Sequence, residues 1–576
     1  MKFISKFLLL CALVSMSTLA FSNVKEDGAF FINEEQYEKA ISVLKSELNQ
    51  SPNNPLLQFH LGEAYFLLGK LDDARAAFNQ AAVNVKSPYG FIGLGLLELK
   101  SGNKSQAIAL FDKGVKLEKK NPAIYATVAD LALRLVPADT ATARVYLQRG
   151  ESVSSKNVYL QLIKGDLSSE KKNYGAAAND YERVFLYDKE NYVSYRNLGI
   201  LFTKAKNYLD ARKNFEESLR LSPNQVLGYK KFSELYYNYA QYAEAEKYYS
   251  IYYSKVNPSV DETERYAFIL FFNKKYKEAS ELLDKVMAEK GDQANIAIYR
   301  VKGYISYETG EYAKGIEYMD KLFQAKKSDE LLASDFAYNA RLQAKSNNDS
   351  MAVVYYKSAI AKVENPSEYL DELAKIHIKN KKFDEASAVY GQLLAAGGDK
   401  STVSFNVGKM YYQAADEQRQ ALFAITPVAD SKGRVAPMPK EADGIKIVMT
   451  KYYNSADSAF AITNELSPSF ATAYIWRGRI QSILDPEAKQ TLAKGFYEKS
   501  VEVLNASADK SKLKKSFIEC YNYLGSYYYF QSERTKGEEM KQNLTQSISY
   551  FEKVLELDAE DINTKDKIEK LKVALK

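Results

Sequence analysis

Apolar residues return at helical spacing in a long series of short stretches, and polar or charged breaks separate each stretch from the next. In every second stretch an alanine stands four positions ahead of a large apolar residue. The pairs are Ala40/Leu44, Ala74/Phe78, Ala107/Phe111, Ala143/Leu147, Ala177/Tyr181, Ala211/Phe215, Ala245/Tyr249, Ala279/Leu283, Ala352/Tyr356, Ala386/Tyr390, Ala456/Phe460 and Ala493/Tyr497, with Gly315/Met319 and Ser547/Phe551 in the same role. The interval is about 34 residues, which fits two antiparallel helices and a turn. In the intervening stretches Gly62, Gly95, Gly165, Gly199, Gly303, Gly408, Gly478 and Gly525 recur at one phase. Glycine in a helix interior costs roughly 1 kcal/mol against alanine, so its return at a fixed phase implies a close helix crossing. Pro52, Pro223 and Pro468 fall where the second helix of a unit must stop. The pattern predicts an all-α chain of about fourteen helix–turn–helix repeats.

The register is disturbed in places. Extra residues lie around Pro137, and the units near Gly315 and Ala352 are longer. The largest break runs from Gln413 to Ile445, where ALFAITPVADSKGRVAPMPKEADG has three prolines, two glycines and no sustained helical period. Ala456, Phe460 and Pro468 then resume the repeat, so 413–445 is expected to be a loop inserted between the two helices of one unit. A smaller insertion, SERTKGEEMKQNL, separates the helices of the last unit, and residues 562–576 have the polar composition and spacing of a capping helix.

The stretch from Tyr192 to Gln225 carries Tyr195, Leu198, Gly199, Phe202, Ala211, Phe215 and Pro223 at the offsets of one helix–turn–helix unit. It resembles the tetratricopeptide repeat (TPR) family, and the likeness extends over nearly all of residues 23–576. The resemblance implies a right-handed α–α superhelix, a TPR solenoid whose first helices line a concave groove. The inward positions it implies are Phe59, Phe66, Tyr89, Ile92 and Leu96 early in the chain, and Phe268, Phe271, Tyr304 and Tyr307 in the middle. Arg196 and Lys230 stand between these apolar stretches, and Phe405, Tyr412, Arg479 and Tyr529 follow. Such a groove suits an extended peptide or a partner helix, with buried anchors and a basic residue fixing orientation. Some family members clamp a terminal carboxylate; Arg196, Asn197 and Lys230 match that arrangement only in part, with Asp166 and Glu234 nearby, so that activity is not carried over.

The first 22 residues read as a secretory signal: Lys2 and Lys6, an apolar run from Phe7 to Val14, then Ala20-Phe21-Ser22. Cleavage is expected after Ser22 or Ala20, and composition resembles exported proteins of Gram-negative bacteria, which implies the periplasm. The formal charge of +6 becomes +4 without Lys2 and Lys6, too weak and too dispersed a bias for nucleic acid. Removal of Cys11 with the signal leaves Cys520 as a lone thiol in an apolar helical stretch, expected to be a buried small hydrophobe. His60 and His377 occupy first-helix positions in distant repeats, no zinc spacing, phosphate loop or nucleophile elbow is present, and no cofactor or metal is expected. Of 45 tyrosines, Tyr37, Tyr174, Tyr208, Tyr242, Tyr276 and Tyr312 stand three residues ahead of the repeat's small residue, where they pack at the start of the second helix. The expected function is a non-enzymatic periplasmic scaffold or adaptor that binds peptides or envelope proteins in its groove. The alternative is a glycan-binding protein of the outer membrane, which the single Trp476 and the scarcity of long insertions disfavour.

Overall fold

The computed structural model describes residues 26–427, 437–489, 491–507 and 511–576, so the signal expected over 1–22 lies outside the described residues. Every regular element among the described residues is a helix. The chain divides into two compact units, one ending at Asn295 and the other beginning at Ile296.

Unit 1 holds eight antiparallel pairs: α1 (Gly28–Asn33) with α2 (Tyr37–Gln50), α3 (Pro55–Leu67) with α4 (Leu71–Ala82), α5 (Tyr89–Lys100) with α6 (Lys104–Leu117), α7 (Pro122–Leu133) with α8 (Thr140–Val153), α9 (Val158–Glu170) with α10 (Tyr174–Val184), α11 (Tyr192–Lys204) with α12 (Tyr208–Leu221), α13 (Leu227–Asn238) with α14 (Tyr242–Lys255), and α15 (Val260–Phe272) with α16 (Tyr276–Lys290). Unit 2 holds six more: α17 (Ile296–Thr309) with α18 (Tyr312–Ala325), α19 (Ala333–Lys345) with α20 (Asp349–Ile360), α21 (Ser367–Lys379) with α22 (Phe383–Ala395), α23 (Lys400–Ile425) with α24 (Glu441–Leu466), α25 (Ala471–Leu484) with α26 (Leu492–Asn505), and α27 (Lys514–Ser532) with α28 (Gly537–Leu557). A last helix, α29 (Ile562–Leu575), packs Ile568 and Leu571 against Leu544, Ile548 and Phe551.

One contact explains the repeat signature. The aromatic residue four places after the alanine lies against the glycine of the preceding helix: Phe78 on Gly62, Phe111 on Gly95, Tyr181 on Gly165 and Phe215 on Gly199. A Cβ at Gly62 would stand 2.4 Å from the Phe78 ring, closer than packed carbon atoms approach. The alanines themselves are wholly buried, as Ala74, Ala177 and Ala211 show. The turn inside a pair places one residue in the left-handed region, φ 58° at Lys206 and 61° at Lys274, and Gly69, Gly102 and Gly310 fill the equivalent position elsewhere. Four first helices of unit 1 start on asparagine caps, Asn54, Asn121, Asn157 and Asn191, each accepting from a backbone amide in the first turn.

The expected 413–445 loop is much shorter. Helix α23 continues to Ile425 and α24 begins at Glu441, so only 426–440 separates them, and residues 428–436 lie outside the described set. Pro427, Pro437 and Pro439 all fall inside that short connection, whereas its flanks bury Ala414, Ala415 and Ala442. The smaller insertion at 532–544 is likewise mostly helix, because α28 starts at Gly537. Phe460 lies on Gly408 and Phe551 on Gly525, so both long pairs keep the ordinary contact at their base.

Candidate functional site

In unit 1, first helices α3, α7, α9 and α11, with the end of α1, line a cavity of about 530 Å³. Leu67, Leu133, Leu162, Ile163, Val193 and Ile200 supply its apolar wall. The polar wall includes Asp130, Arg134 and Tyr159, and behind it Glu63 and His60 continue the series. His60 Nδ1 lies 3.1 Å from Glu63 Oε2, and Arg134 Nη1 lies 3.6 Å from Glu63 Oε1. Arg134 donates two hydrogen bonds to Asp130, at 2.9 and 3.0 Å, and the Tyr159 hydroxyl donates to Asp130 Oδ2 at 2.7 Å. Burial alone would raise the Glu63 carboxyl, but Arg134 and His60 outweigh it and hold the carboxyl below its ordinary value.

Asp166 on α9 is placed differently. Its Oδ1 accepts from the Tyr181 hydroxyl at 2.6 Å and from Asn197 Nδ2 at 3.2 Å, and among the described residues no cation forms an ion pair with it. Burial pushes its carboxyl up to about 6; the Tyr181 hydrogen bond opposes that rise, Asp130 adds to it, and Arg134 and Arg196 oppose it from a distance.

The cavity is bounded at one side by a contact between distant parts of the sequence. Arg196 Nη1 donates to Glu34 Oε1 at 2.5 Å, and Glu34 Oε2 accepts from the Val226 and Leu227 amides, both at 2.8 Å. The first pair of unit 1 is thereby joined to the sixth and seventh. Arg196 is 4% exposed and Glu34 2%, so Arg196 is not the free groove cation expected from the repeat phase. Position within a repeat gives a direction along the helix surface and cannot reveal a partner in another repeat.

Other expected groove residues divide into three groups. Phe59, Phe66 and Tyr304 are buried and belong to the packing between pairs: Phe59 meets Phe78 and Tyr89, and Tyr304 stacks on Tyr338 at 3.9 Å while donating to Asp335 at 2.7 Å. The remaining cations are paired, Lys230 with Glu262 at 3.0 Å and Arg479 with Glu519 through two bonds of 2.6 Å. Tyr89, Phe268, Phe271, Tyr307, Phe405 and Tyr412 are half-buried, and Tyr529 is exposed. Ile92 and Leu96 are fully buried core residues.

A surface that the repeat phase only touches lies on α15. Asp261, Arg265, Phe268 and Phe272 follow one another at three- and four-residue steps and share a face of that helix. Phe272, 40% exposed, stacks on Tyr242 at 4.9 Å, and Arg265 lies over Tyr237 at 4.8 Å. Beside them Asp261, Glu264, Arg265, Phe268, Lys290 and Asn295 line a cavity of about 340 Å³. Tyr239 and Tyr208, 4.8 Å apart, extend the aromatic row onto the preceding pairs.

Cys520 is fully buried, and burial pushes its thiol up to about 12, far from a reactive thiolate. Buried His377 has its pKa lowered by burial, as a packed neutral imidazole would. Among the described residues no helix is long and apolar enough to cross a membrane.

The tetratricopeptide repeat family profile matches residues 31–84. A TPR repeat-containing protein of Methanocaldococcus jannaschii is 24% identical over 408 residues, covering 67% of this chain and 61% of its own length. The chain thus spans less than two-thirds of that relative. Among solved structures, the C-terminal part of a TPR repeat-containing protein of Cytophaga hutchinsonii is 23% identical, covers 53% of this chain and 98% of that one, and has a TM-score of 0.41. PilF of Pseudomonas aeruginosa is 20% identical, with coverages of 35% and 90% and a TM-score of 0.30.

Proposed function

Because the chain belongs to the tetratricopeptide repeat family, we propose that it is a non-enzymatic scaffold of the bacterial envelope that holds a peptide segment of a partner protein against α15 of unit 1. The aromatic face of α15 carries this reading. It offers apolar anchors at Phe268 and Phe272, a guanidinium at Arg265, and a cavity beside Phe268 that a partner side chain can enter. Export is supported by Lys2, Lys6, the apolar run from Phe7 and the Ala20-Phe21-Ser22 site.

Photocrosslinking in intact cells tests the proposal, with a photoreactive phenylalanine analogue at Phe272 and the Phe268→Ser variant as control. The expected result is a small set of envelope proteins, captured by the parent and lost in the control. Equal capture by both forms, or capture of no protein, would remove α15 as the docking face.

A further inference from the structure

We propose that the cavity of unit 1 is a receptor for an organic cation, an alkyl ammonium or guanidinium group, with Asp166 as its counter-ion. This site lies apart from α15 and does not depend on the reading given for that helix. The argument begins with the charges around the cavity. Arg134 is taken up by Asp130 and Glu63, and Arg196 Nη1 by Glu34, while the buried Arg196 Nε has no acceptor among the described residues. What remains among the lining residues is Asp166, with exposed Glu35 and Glu170, against exposed Lys204. The residual balance is acidic, so an entering cation is favoured over an anion.

Asp166 is built to meet such a group. The Tyr181 hydroxyl and the Asn197 amide both bond to Oδ1, which fixes the carboxyl plane and leaves Oδ2 without a hydrogen-bond donor among the described residues. Asp166 is partly exposed, and that exposure is to the cavity it lines. The apolar wall, with Leu133, Leu162 and Ile163, suits a hydrocarbon stem carrying the charge, and about 530 Å³ accommodates a side chain or a small amine. A carboxyl pushed up by burial is the state expected of a counter-ion waiting for its cation, and binding would return it to the ionised form. A lysine or arginine side chain of a partner and a free amine would present the same chemistry.

Calorimetry on the full mature chain tests this, with pentylamine, a blocked Ala-Lys-Ala peptide, and pentanoate as the probe of opposite charge. Well above the Asp166 midpoint of about 6, at least one cationic probe is expected to bind and pentanoate to give no heat. Asp166→Asn should weaken binding by about tenfold or more while the variant still melts cooperatively. Tyr181→Phe removes the donor that holds the carboxyl down, so the pH midpoint of binding should move upward. Binding of the peptide alone assigns the site to a partner's side chain, and binding of pentylamine alone assigns it to a small molecule; either outcome upholds the cation receptor. Binding of pentanoate, an undiminished Asp166→Asn variant, or silence from both cations would overturn it.

Discussion

Glu34 and Arg196 form a buried ion pair at 2.5 Å although Glu34 closes α1 and Arg196 lies on α11, with helices α2 to α10 between them in sequence. A helical stack ordinarily makes contacts only between neighbours. This pair, with the two amides that Glu34 also accepts from, makes the beginning of unit 1 depend on its sixth and seventh pairs. Removing one partner leaves a buried charge without compensation, at a cost of about 3–5 kcal/mol. Glu34→Ala should therefore lower the melting temperature and speed amide exchange both in α2 and at the start of α13. The double variant Glu34→Leu/Arg196→Met should recover the part of the loss that comes from the uncompensated charge, while the Val226 and Leu227 amides stay without their acceptor. Exchange changes confined to α1 and α2 would show that the contact is not coupled across the unit.

Asp166 gives the pH dependence a definite sign. Its folded-state pKa of about 6 lies above the ordinary 3.8, so the folded protein binds this proton more readily than the unfolded chain does. Below the unfolded value both states are protonated and the group is neutral to stability. As pH rises from the unfolded value through about 6, the folded state must hold a buried carboxylate and loses stability, by about 1–3 kcal/mol when complete. Asp166→Asn should melt higher than the parent above that midpoint, and the two should converge in acid. A difference independent of pH would mean that packing, not ionisation, sets the effect.

The glycine–aromatic contact predicts a compensating pair. Gly62→Ala puts a methyl 2.4 Å from the Phe78 ring and should cost about 1–3 kcal/mol through overpacking. Adding Phe78→Leu removes that ring edge, so the second substitution should be less harmful on top of Gly62→Ala than it is alone. A double-mutant cycle in denaturant measures the coupling, and additive effects would contradict the contact.

For the long α23–α24 pair, the position of the cut decides the outcome. Replacing residues 427–439 by a short flexible linker should leave helicity and melting nearly unchanged, since α23 ends at Ile425 and α24 begins at Glu441, outside the replaced stretch. Removing 414–444 would also delete buried Ala414, Ala415 and Ala442 and should lower stability clearly. Calorimetric melting of the two deletions separates these cases.

Much of the architecture is legible in the sequence because its signature reports a contact between helices that are neighbours in the chain. Phe215 on Gly199 is such a contact, and the phase of one predicts the other. Phase also assigns a direction to Arg196 and Tyr304. It does not say what awaits them there. Glu34 reaches Arg196 from another repeat, and Asp335 takes the Tyr304 hydroxyl from the next pair. The extended ends of α23 and α24 are hidden for a different reason: three prolines and a glycine at the centre dominate the composition of a segment whose flanks are good helix formers. Asp166 is visible in the sequence only as a carboxylate near Asn197, since solitude in a cavity leaves no mark on periodicity.

The base contact of Gly408 with Phe460 separates two jobs that ordinary pairs combine. The repeat's own contact is complete at the foot of α23 and α24, and beyond it the pair still buries Ala414, Ala415 and Ala442 and receives Lys381 at Glu417. At 1.5 Å per residue, a 26-residue helix reaches about 39 Å, roughly twice the span of a 13-residue helix such as α22. The pair is in effect a mast. It carries Phe423 and Ile447, both largely exposed, clear of the neighbouring helices without asking the stack beneath to change.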